Sequence, residues 1–426
     1  MKVSAVAETV KMDHVVDVCV DVSKEKLNVM FRCAGNVYED EFANRTPQIE
    51  KRLKQYAETV REHGFVGLRI ICEPTGQYHN KLTRTARRLG FLSCYVNTES
   101  VSKLRVVETN DAGKTDLKDP FIIATLGKLG KTLRLRELPE DYATLRRLGK
   151  MYDETSVDLT RVRCRIEKLR VEVFCDYSFK KDFMYRGNGR AIADLYGCNA
   201  YRIAKAGKTR FFARMKKAAP RIRIASLNRL WRDVRSSTLN ELQQGYIDVS
   251  EQQFSMFWAD FKRLEERKEG LVKQMVELLD KIREEDPKIP PPTKNVISAK
   301  NLARLLAETG PLDDFQNWRR LMRYAGLNLR ERQSGKFIGQ RKISKRGRRL
   351  LRKILQEIVL PLVRKDKMYG EYYHRKKDQQ KMPGRKAMVV VMRQFLRKFF
   401  GWYRSNADFD IERWFTCHGE MMKKAA

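Results

Sequence analysis

Two carboxylates in this sequence stand at the ends of strongly apolar runs. Asp21 closes the run VVDVCVD, and Glu73 follows the run FVGLRIIC. A buried carboxylate without a partner is costly, and ligands of open α/β sheets bind at the carboxyl ends of strands. Both positions are therefore candidates for binding a cation. An alternative for Asp21 alone is that it caps the turn of a hairpin, since aspartate is common in turns.

Two further carboxylates, Asp116 and Asp119, lie three residues apart in the segment GKTDLKDP. Residues at this spacing share one face of a helix. With Asp21 and Glu73 they form a set of hard oxygen ligands, which suits Mg²⁺ or Mn²⁺. Two such ions about 4 Å apart are a common means of activating phosphodiesters. The alternative for this second pair is an acidic first turn that favours the helix dipole.

The elements that must position these side chains follow an α/β pattern. A strand, a tight turn and a second strand are predicted over residues 15–31, and alternating apolar segments then predict further strands and helices. These later elements are a strand at 36–44, a helix at 47–63, a strand at 65–72, a helix at 78–89 and a strand at 91–96. The carboxylates are therefore expected on an N-terminal α/β domain.

The charge of the chain indicates a polyanionic partner. Among 426 residues, 88 Lys and Arg stand against 53 Asp and Glu, which gives a net charge of +35. Nucleic acid is the most common partner of such a protein. A membrane would require an anchor, and no long apolar run, signal sequence or lipidation motif is found. We expect a cytoplasmic protein of two or three domains without membrane contact, and the spacing of cysteines and histidines indicates neither zinc nor disulfides.

Two heptad patterns, at residues 145–169 and 254–282, predict coiled-coil arms. The arms can pair within the chain or between chains. Between them, residues 201–235 hold 12 Lys or Arg and one acid, interrupted by aromatic residues such as Phe211 and Trp231. This composition suits a nucleic-acid backbone with stacked bases, and the alternative is a solvated helical surface. The candidate contacts are Lys208, Arg210, Arg214, Lys216 and Lys217.

A second basic segment lies in the C-terminal third. Residues 336–353 contain nine Lys or Arg and no acid, which is typical of a phosphate-binding surface. Ser334 stands in a Ser-Gly pair that is usual for turns, and Ser344 can be the N-cap of the following helix. The candidate nucleic-acid contacts here are Lys336, Arg341, Lys342, Lys345, Arg346, Arg348 and Arg349.

The pieces VDVSKEKLNV, ICEPTG and KTDLKD, in this order, resemble the RuvC-like (RNase H fold) domain of the DEDD transposases. These are insertion-sequence recombinases guided by a bridge RNA. The resemblance assigns Asp21, Glu73, Asp116 and Asp119 to the DEDD set. The C-terminal signature of the same family is matched by Ala325, Gly326, Leu327, Ser334, Gly335, Gly339, Ser344, Lys345 and Gly347.

The resemblance implies a function and a domain organisation. Ser334 is the expected nucleophile, with Ser344 as the second choice, and Mg²⁺ or Mn²⁺ is the expected cofactor. DNA, a guide RNA and a homo-oligomer from dimer to tetramer are the expected partners. The alternatives are a Holliday-junction-type metal-dependent nuclease that uses no serine and a non-enzymatic nucleic-acid-binding protein. The expected parts are an α/β RNase H-like (RuvC-like) domain at 1–135, helical coiled-coil arms at 140–285 with a basic insert at 175–250, a mainly α transposase domain at 293–405, and a tail at 406–426.

Overall fold

The chain divides into two compact units. The structure is a computed structural model and describes residues 14–109, 118–134, 136–180, 182–330, 333–334, 337–339, 342–365 and 367–405. The first unit comprises Met1–Glu137 and Asp313–Arg320, and the second comprises Leu138–Leu312 and Leu321–Ala426. None of the helices in the described part of the chain combines the length and the apolar character needed to cross a bilayer.

The first unit is built on a six-stranded mixed sheet in the order β3-β2-β1-β4-β5-β6. Strands β1, β2 and β3 form an antiparallel meander, β4 is parallel to β1 and β5 is parallel to β4, and β6 closes the sheet antiparallel to β5. The strands are β1 (Val15–Val22), β2 (Lys26–Cys33), β3 (Asn36–Ala43), β4 (Gly67–Cys72), β5 (Leu92–Val96) and β6 (Thr132–Arg134). The expected α/β character of the N-terminal part is confirmed.

Both faces of this sheet are covered by helices. The even-numbered valines of β1, such as Val18 and Val20, pack with Ile49 and Leu82 on one face, and Cys19 packs with the helical residues of the other face. Burial on both sides explains why β1 and β4 are nearly continuous apolar runs. The helices are α1 (Thr46–Glu62), α2 (His79–Arg88), α3 (Thr98–Thr109) and α4 (Lys118–Lys128).

The second unit contains two long helices, α5 (Glu140–Val173) and α10 (Gln244–Glu285), which pair within the chain. Lys281 near the end of α10 bonds Asp141 at the start of α5, with an Nζ to Oδ2 distance of 2.8 Å. At the opposite ends, the hydroxyl of Tyr246 donates to Glu172 over 2.8 Å. The two helices are therefore antiparallel partners, which decides between the two pairings that the sequence leaves open. Coiled-coil packing between them stays a prediction.

The basic segment between the long helices folds as a helical layer against them. Its helices are α6 (Gly187–Tyr196), α7 (Ala200–Ala206), α8 (Lys208–Ala218) and α9 (Ile224–Ser237). Phe211 on α8 is fully buried in a core that includes Leu230 of α9, Ile166 of α5 and Trp258 of α10, and Trp231 packs against the same core. The prediction that Phe211 offers a surface for base stacking is therefore wrong, because the apolar stripe of the helix forms the core.

The last part of the second unit is mainly helical. After the proline-rich segment, α11 (Ala299–Thr309) begins at the N-cap Ser298, whose hydroxyl accepts a hydrogen bond from the backbone nitrogen of Asn301. Two short strand pairs, β7 (Leu329–Arg330) with β10 (Lys342–Ile343) and β8 (Gln333–Ser334) with β9 (Phe337–Ile338), interrupt the helices. The other helices are α12 (Trp318–Tyr324), α13 (Arg349–Lys365), α14 (Lys367–His374) and α15 (Gly384–Ser405).

A buried arginine joins three helices of the second unit. The side chain of Arg304 on α11 is only 1% exposed and bonds Asp153 of α5 at 3.2 Å and Glu357 of α13. Asp153 also bonds Lys353 of α13 at 2.7 Å, and the Arg304 guanidinium lies 4.7 Å from the ring centre of Tyr152. A buried charge is tolerated only when it is paired in this way, so the cluster fixes α5, α11 and α13 together.

Replacing Asp153 by alanine should lower the free energy of unfolding of the second unit by about 3 kcal/mol, because Arg304 is left buried with an incomplete set of acceptors. The matched control is Asp158→Ala on the same helix, where the carboxylate is 51% exposed and pairs with Arg161 of its own helix at 3.0 Å. The control should stay within about 0.5 kcal/mol of the wild type. Urea denaturation measures both, and equal effects would contradict a special role for the buried cluster.

Candidate active site

The carboxylates that end β1 and β4 stand side by side. The two strands are parallel neighbours, and Val20 is paired with Cys72 across the ladder. The next residue of each strand path, Asp21 and Glu73 respectively, therefore lies at the same edge of the sheet, where adjacent strands are about 4.8 Å apart. Both residues are half-buried. The register thus brings the two residues to neighbouring positions, and their joint binding of a cation stays a prediction.

Another carboxylate on β1 has a different role. Asp17 lies directly opposite Arg69 of β4, and the two side chains form a fork with N to O distances of 2.5 Å for both bonds. Burial lowers the pKa of Arg69, but the hydrogen bonds and charge of Asp17 outweigh burial, so the pKa is raised. The charge of Asp17 is thus compensated within the sheet, and Asp17 is not a candidate ligand.

Asp119 lies in the first turn of α4 and is bonded to Arg105 of α3. The carboxylate is 1% exposed, and its Oδ1 accepts bonds from Nη2 and Nε of Arg105 at 2.6 and 3.0 Å. Such a fork supplies the partner that a buried carboxylate requires. Asp119 is therefore held in a fixed position by a residue that the sequence pattern did not identify as its partner.

The path of α4 brings Asp119 toward the carboxyl end of β1. Near the end of α4, Gly127 approaches the start of β1 so closely that a Cβ there would lie 3.2 Å from Oδ2 of Asp17. Near the start of α4, Pro120 lines a cavity of about 210 Å³ together with Asn28 of β2, and Asn28 is paired with Asp21. Asp119 precedes Pro120, so it lies at the same end of the sheet as Asp21.

Asn28 is a polar residue of this region that the sequence analysis missed. It is 4% exposed, and its Oδ1 has no hydrogen-bond partner among the described residues. A buried acceptor without a partner costs about 1–3 kcal/mol. The signal was present in the sequence, because Asn28 is the only uncharged polar residue in the strand KLNVMF and stands across the turn from Asp21.

The donor atoms of this edge fit a hard divalent cation. Asp21, Glu73 and Asn28 offer oxygen atoms, which Mg²⁺ and Mn²⁺ prefer. The thiol of Cys72, the residue before Glu73, is a poor ligand, because burial, with a smaller effect of Cys94 and Glu73, raises the pKa of Cys72 to about 12. Within the described residues no group of three or more His, Cys, Asp or Glu side chains is assembled for a metal ion.

The remaining member of the predicted set of four, Asp116, lies outside the described residues. The sheet thus brings together Asp21 and Glu73, and α4 directs Asp119 to the same end.

Ser334 lies in the inner of two short antiparallel strand pairs, β7 with β10 and β8 with β9, and we call the described residues of this segment (329–330, 333–334, 337–339 and 342–343) the serine hairpin. Leu329 is paired with Ile343 at its base, and Ser334 is paired with Phe337 further out. Lys336 and Arg341 lie outside the described residues. Within the hairpin, Ser334 is therefore near the end that is remote from the base.

The base of the serine hairpin is fixed by two glycines of the family-like signature. Gly326 and Gly347 have φ values of +69° and +146°, which side chains rarely adopt. The backbone nitrogen of Arg348 donates to the carbonyl of Tyr324 over 3.0 Å. A Cβ on Gly347 would overlap that carbonyl oxygen and lie 2.5 Å from the nitrogen of Gly326. The close approach of the two chain segments explains both glycines.

Ser344 is a structural residue in this arrangement. Its side chain is buried, with 7% exposed, and its hydroxyl donates to Oδ1 of Asn328 over 2.6 Å. The prediction that Ser344 caps the next helix is wrong, because α13 begins only at Arg349. The positive φ of Lys345, +54°, and the turn at Gly347 separate Ser344 from the helix.

The candidate nucleic-acid contacts differ in how they are held. Arg348 forms a fork with the buried carboxylate of Glu308 at 2.8 and 3.1 Å. Burial lowers the pKa of Arg348, but the bonds and charge of Glu308 outweigh it, so the pKa is raised. Arg348 therefore serves the base of the hairpin. The exposed candidates are Lys342, Lys345, Arg346, Arg349, Lys208, Arg210, Arg214, Lys216 and Lys217.

Two family models match the sequence. Residues 18–175 match a model described as "Transposase", that of the DEDD transposases of the IS110 type, and residues 294–374 match the model described as "Transposase IS116/IS110/IS902 family". The chain carries IS110-family transposase domains. It is therefore an enzyme that acts on DNA.

Comparison with solved structures gives similarities of low identity. The chain is similar to Thermus thermophilus RuvC in complex with a Holliday junction substrate, with 12% identity and a TM-score of 0.22, over 29% of this chain and 100% of that chain. It is also similar to a second Thermus thermophilus RuvC structure, with 12% identity and a TM-score of 0.20, over 28% and 99% of the two chains. No protein with a curated description matches the sequence.

The two matched segments of the chain contain the candidate catalytic residues. The first includes Asp21, Glu73 and Asp119, and the second includes Ser334 and both glycines at the base of the serine hairpin. The assignment to transposase domains thus rests on the same parts of the chain as the chemical candidates.

Replacing Gly347 by alanine should destabilise the base of the serine hairpin, because a Cβ there overlaps backbone atoms and strains a positive φ. We expect a fall in melting temperature of several degrees and faster amide exchange at Arg348. The control is Gly270→Ala on α10, where a Cβ meets nothing within 4 Å and should stabilise the helix by about 0.5–1 kcal/mol. Tolerance of Gly347→Ala would contradict the close approach.

Proposed function

We propose that this protein is the transposase of an insertion sequence, and that it cuts and rejoins DNA through a phosphoserine link at Ser334. The observation that carries the proposal is the side-by-side position of Asp21 and Glu73 at the carboxyl ends of β1 and β4, within a segment that matches DEDD transposases. The RNase H-like character of the N-terminal sheet belongs to the same proposal.

The carboxylates would hold Mg²⁺ or Mn²⁺. Asp21 and Glu73 are the members that lie side by side, Asp119 is directed to the same end of the sheet, and Asp116 completes the set by resemblance. When bound, the cation would stabilise negative charge on the phosphate under attack. The half-buried position of Asp21 and Glu73 keeps their charge only partly hydrated, which favours binding of a cation.

Ser334 would act as the nucleophile in a transesterification. Its Oγ forms a bond to phosphorus, the bond from phosphorus to a deoxyribose oxygen breaks, and that oxygen leaves as a hydroxyl after gaining a proton. Rejoining reverses the step with the hydroxyl of another strand. Each step exchanges one phosphoester for another, so no external energy source is required.

The surroundings of the two serines favour Ser334. The hydroxyl of Ser344 is buried and bonded to Asn328, so its use would break a structural hydrogen bond. Ser334 is the serine that the resemblance assigns as the nucleophile, and it lies toward the end of the hairpin that is remote from the base.

The resemblance also implies that the protein works with a guide RNA and as several protomers. The net charge of +35 supports binding to more than one nucleic-acid strand. Exchange of several strands requires more than one nucleophile, so a dimer or a tetramer is the proposed working form.

Ser334→Ala should abolish a covalent protein–DNA adduct. Purified protein is incubated with Mg²⁺, co-expressed RNA and end-labelled DNA that spans the junction of the element, and adducts are separated on a denaturing gel. Two variants should keep the adduct: Ser344→Ala, and Ser255→Ala, whose exposed hydroxyl only bonds a carbonyl of its own helix. An adduct that survives in Ser334→Ala and is lost in Ser344→Ala would transfer the role to Ser344.

The same assay separates the proposal from a junction nuclease and from a binding protein. Asp21→Asn should reduce adduct formation by more than about 100-fold, since loss of even an outer partner of a metal site costs 10–100-fold. Cleavage without any adduct, unchanged in Ser334→Ala, would indicate a metal-dependent nuclease that uses water. Binding without cleavage in the wild type would indicate a non-enzymatic protein. Omission of the RNA from the assay tests whether the reaction requires a guide RNA.

The exposed cations of α8 should contribute to nucleic-acid affinity. Arg210, Arg214 and Lys217 are exposed and lie at spacings of four and three residues, so they share one face of the helix. Changing all three to glutamine should lower the slope of log affinity against log salt by up to about 3, as each phosphate contact contributes about 0.9.

A matched triple variant controls for net charge. Arg161, Arg263 and Lys273 are exposed, and each pairs with an acidic residue of its own helix. Changing these three to glutamine removes the same charge and should leave the slope nearly unchanged. Equal slopes for both triple variants, measured by fluorescence anisotropy over a salt series, would show that α8 makes no specific contribution.

A further inference from the structure

The edge of the sheet that carries Asp21 and Glu73 contains a third polar side chain in the same row. Asn28 of β2 is the direct partner of Asp21 across the antiparallel ladder. Residues paired in this way have Cβ atoms about 4.5–5.5 Å apart and point to the same face of the sheet. Three oxygen-bearing side chains therefore lie in a row on β2, β1 and β4.

The environment of Asn28 sets it apart from an ordinary buried amide. It is 4% exposed, its Oδ1 has no hydrogen-bond partner among the described residues, and it lines the cavity of about 210 Å³ beside Pro120 of α4. Asn44 is also buried and its Oδ1 likewise has no partner among the described residues, but its Nδ2 donates to the carbonyls of Ser23 and Tyr78 at 2.9 and 3.2 Å. Asn44 thus has a clear structural role, and Asn28 has no comparable bonds within the described chain.

The unsatisfied Oδ1 of Asn28 is suited to bind a divalent cation at this edge of the sheet. Asp119 is engaged by Arg105, so fewer carboxylate oxygens are available to a cation than the set of four suggests. An amide oxygen is a hard neutral donor that Mg²⁺ and Mn²⁺ accept at about 2.0–2.2 Å. It adds a ligand without adding another negative charge beside Asp21 and Glu73.

We infer that Asn28 supplies its Oδ1 to the divalent cation held by Asp21 and Glu73. The inference rests on the proposed function, since it requires that the carboxylates bind a metal. The paired positions of Asn28 and Asp21 allow one cation to contact an oxygen of each, because their side chains start about 5 Å apart on the same face.

A purely structural role for Asn28 makes the opposite prediction. If the amide stabilised the fold, Asn28→Leu would lower the melting temperature and leave metal binding unchanged. If the oxygen is kept for the cation, leucine keeps the branched shape, fills part of the adjacent cavity, removes an unsatisfied acceptor and leaves the metal-free protein as stable as before or more stable. The two readouts therefore separate the two roles.

The test measures Mn²⁺ binding to the full chain by electron paramagnetic resonance of free Mn²⁺, together with the melting temperature without metal. The variants are Asn28→Leu, Asn28→Asp, Asn44→Ala and Asp21→Asn. We expect Asn28→Leu to weaken Mn²⁺ binding at least about ten-fold without a fall in melting temperature. Asn28→Asp keeps an oxygen in place and should bind Mn²⁺ at least as tightly as the wild type, which keeps the test valid if the leucine variant fails to fold.

The control variant and each contrary result test a different claim. Asn44→Ala should lower the melting temperature and leave Mn²⁺ affinity unchanged. Wild-type affinity in Asn28→Leu, or loss of binding in Asn28→Asp, would overturn the role of Asn28 while the carboxylate site stands. Absence of Mn²⁺ binding that depends on Asp21 would overturn the proposed metal site itself, and the inference with it.

Discussion

The register between β1 and β4 is the constraint on which the N-terminal site depends. Asp21 and Glu73 meet because Val20 is paired with Cys72, and a slip of one residue would turn one carboxylate to the other face of the sheet. The ion pair between Asp17 and Arg69 lies directly across the same two strands and opposes such a slip. One carboxylate of β1 thus fixes the register that positions the other.

A comparable chain of contacts supports the serine hairpin in the second unit. Arg146 of α5 donates to the carbonyls of Ala307 and Glu308 at 2.8 and 2.9 Å, which satisfies the last carbonyls of α11. The side chain of Glu308 in turn holds Arg348, whose backbone nitrogen bonds Tyr324. The base of the hairpin is therefore connected to the long helix α5 by polar contacts through the buried Glu308, and its position depends on that helix.

The sequence reveals the strands and their terminal carboxylates because β1 and β4 are buried on both faces, which makes their apolar runs easy to recognise. It does not reveal partners that are distant along the chain. The sequence presents Arg348 as a candidate phosphate contact but does not show that Glu308, forty residues earlier, pairs with it. Asn28 is overlooked because a single polar residue in a strand normally faces solvent. The sequence predicts that Phe211 stacks on bases, but it lies in the core. A helical period identifies an apolar stripe and does not show whether protein or ligand covers that stripe.

The difference between paired and exposed cations limits what can be inferred from the net charge of +35. Arg69, Arg304 and Arg348 each bond carboxylates and belong to the interior or to its edge, so their charges are compensated before any ligand binds. The cationic side chains of α8, such as Arg214 and Lys217, remain exposed, because the apolar face of this helix is the one that is buried. Only such exposed cations can release counterions when nucleic acid binds. The salt dependence of binding should therefore follow the number of exposed cations on the contact surface and fall far below the value that the total charge implies.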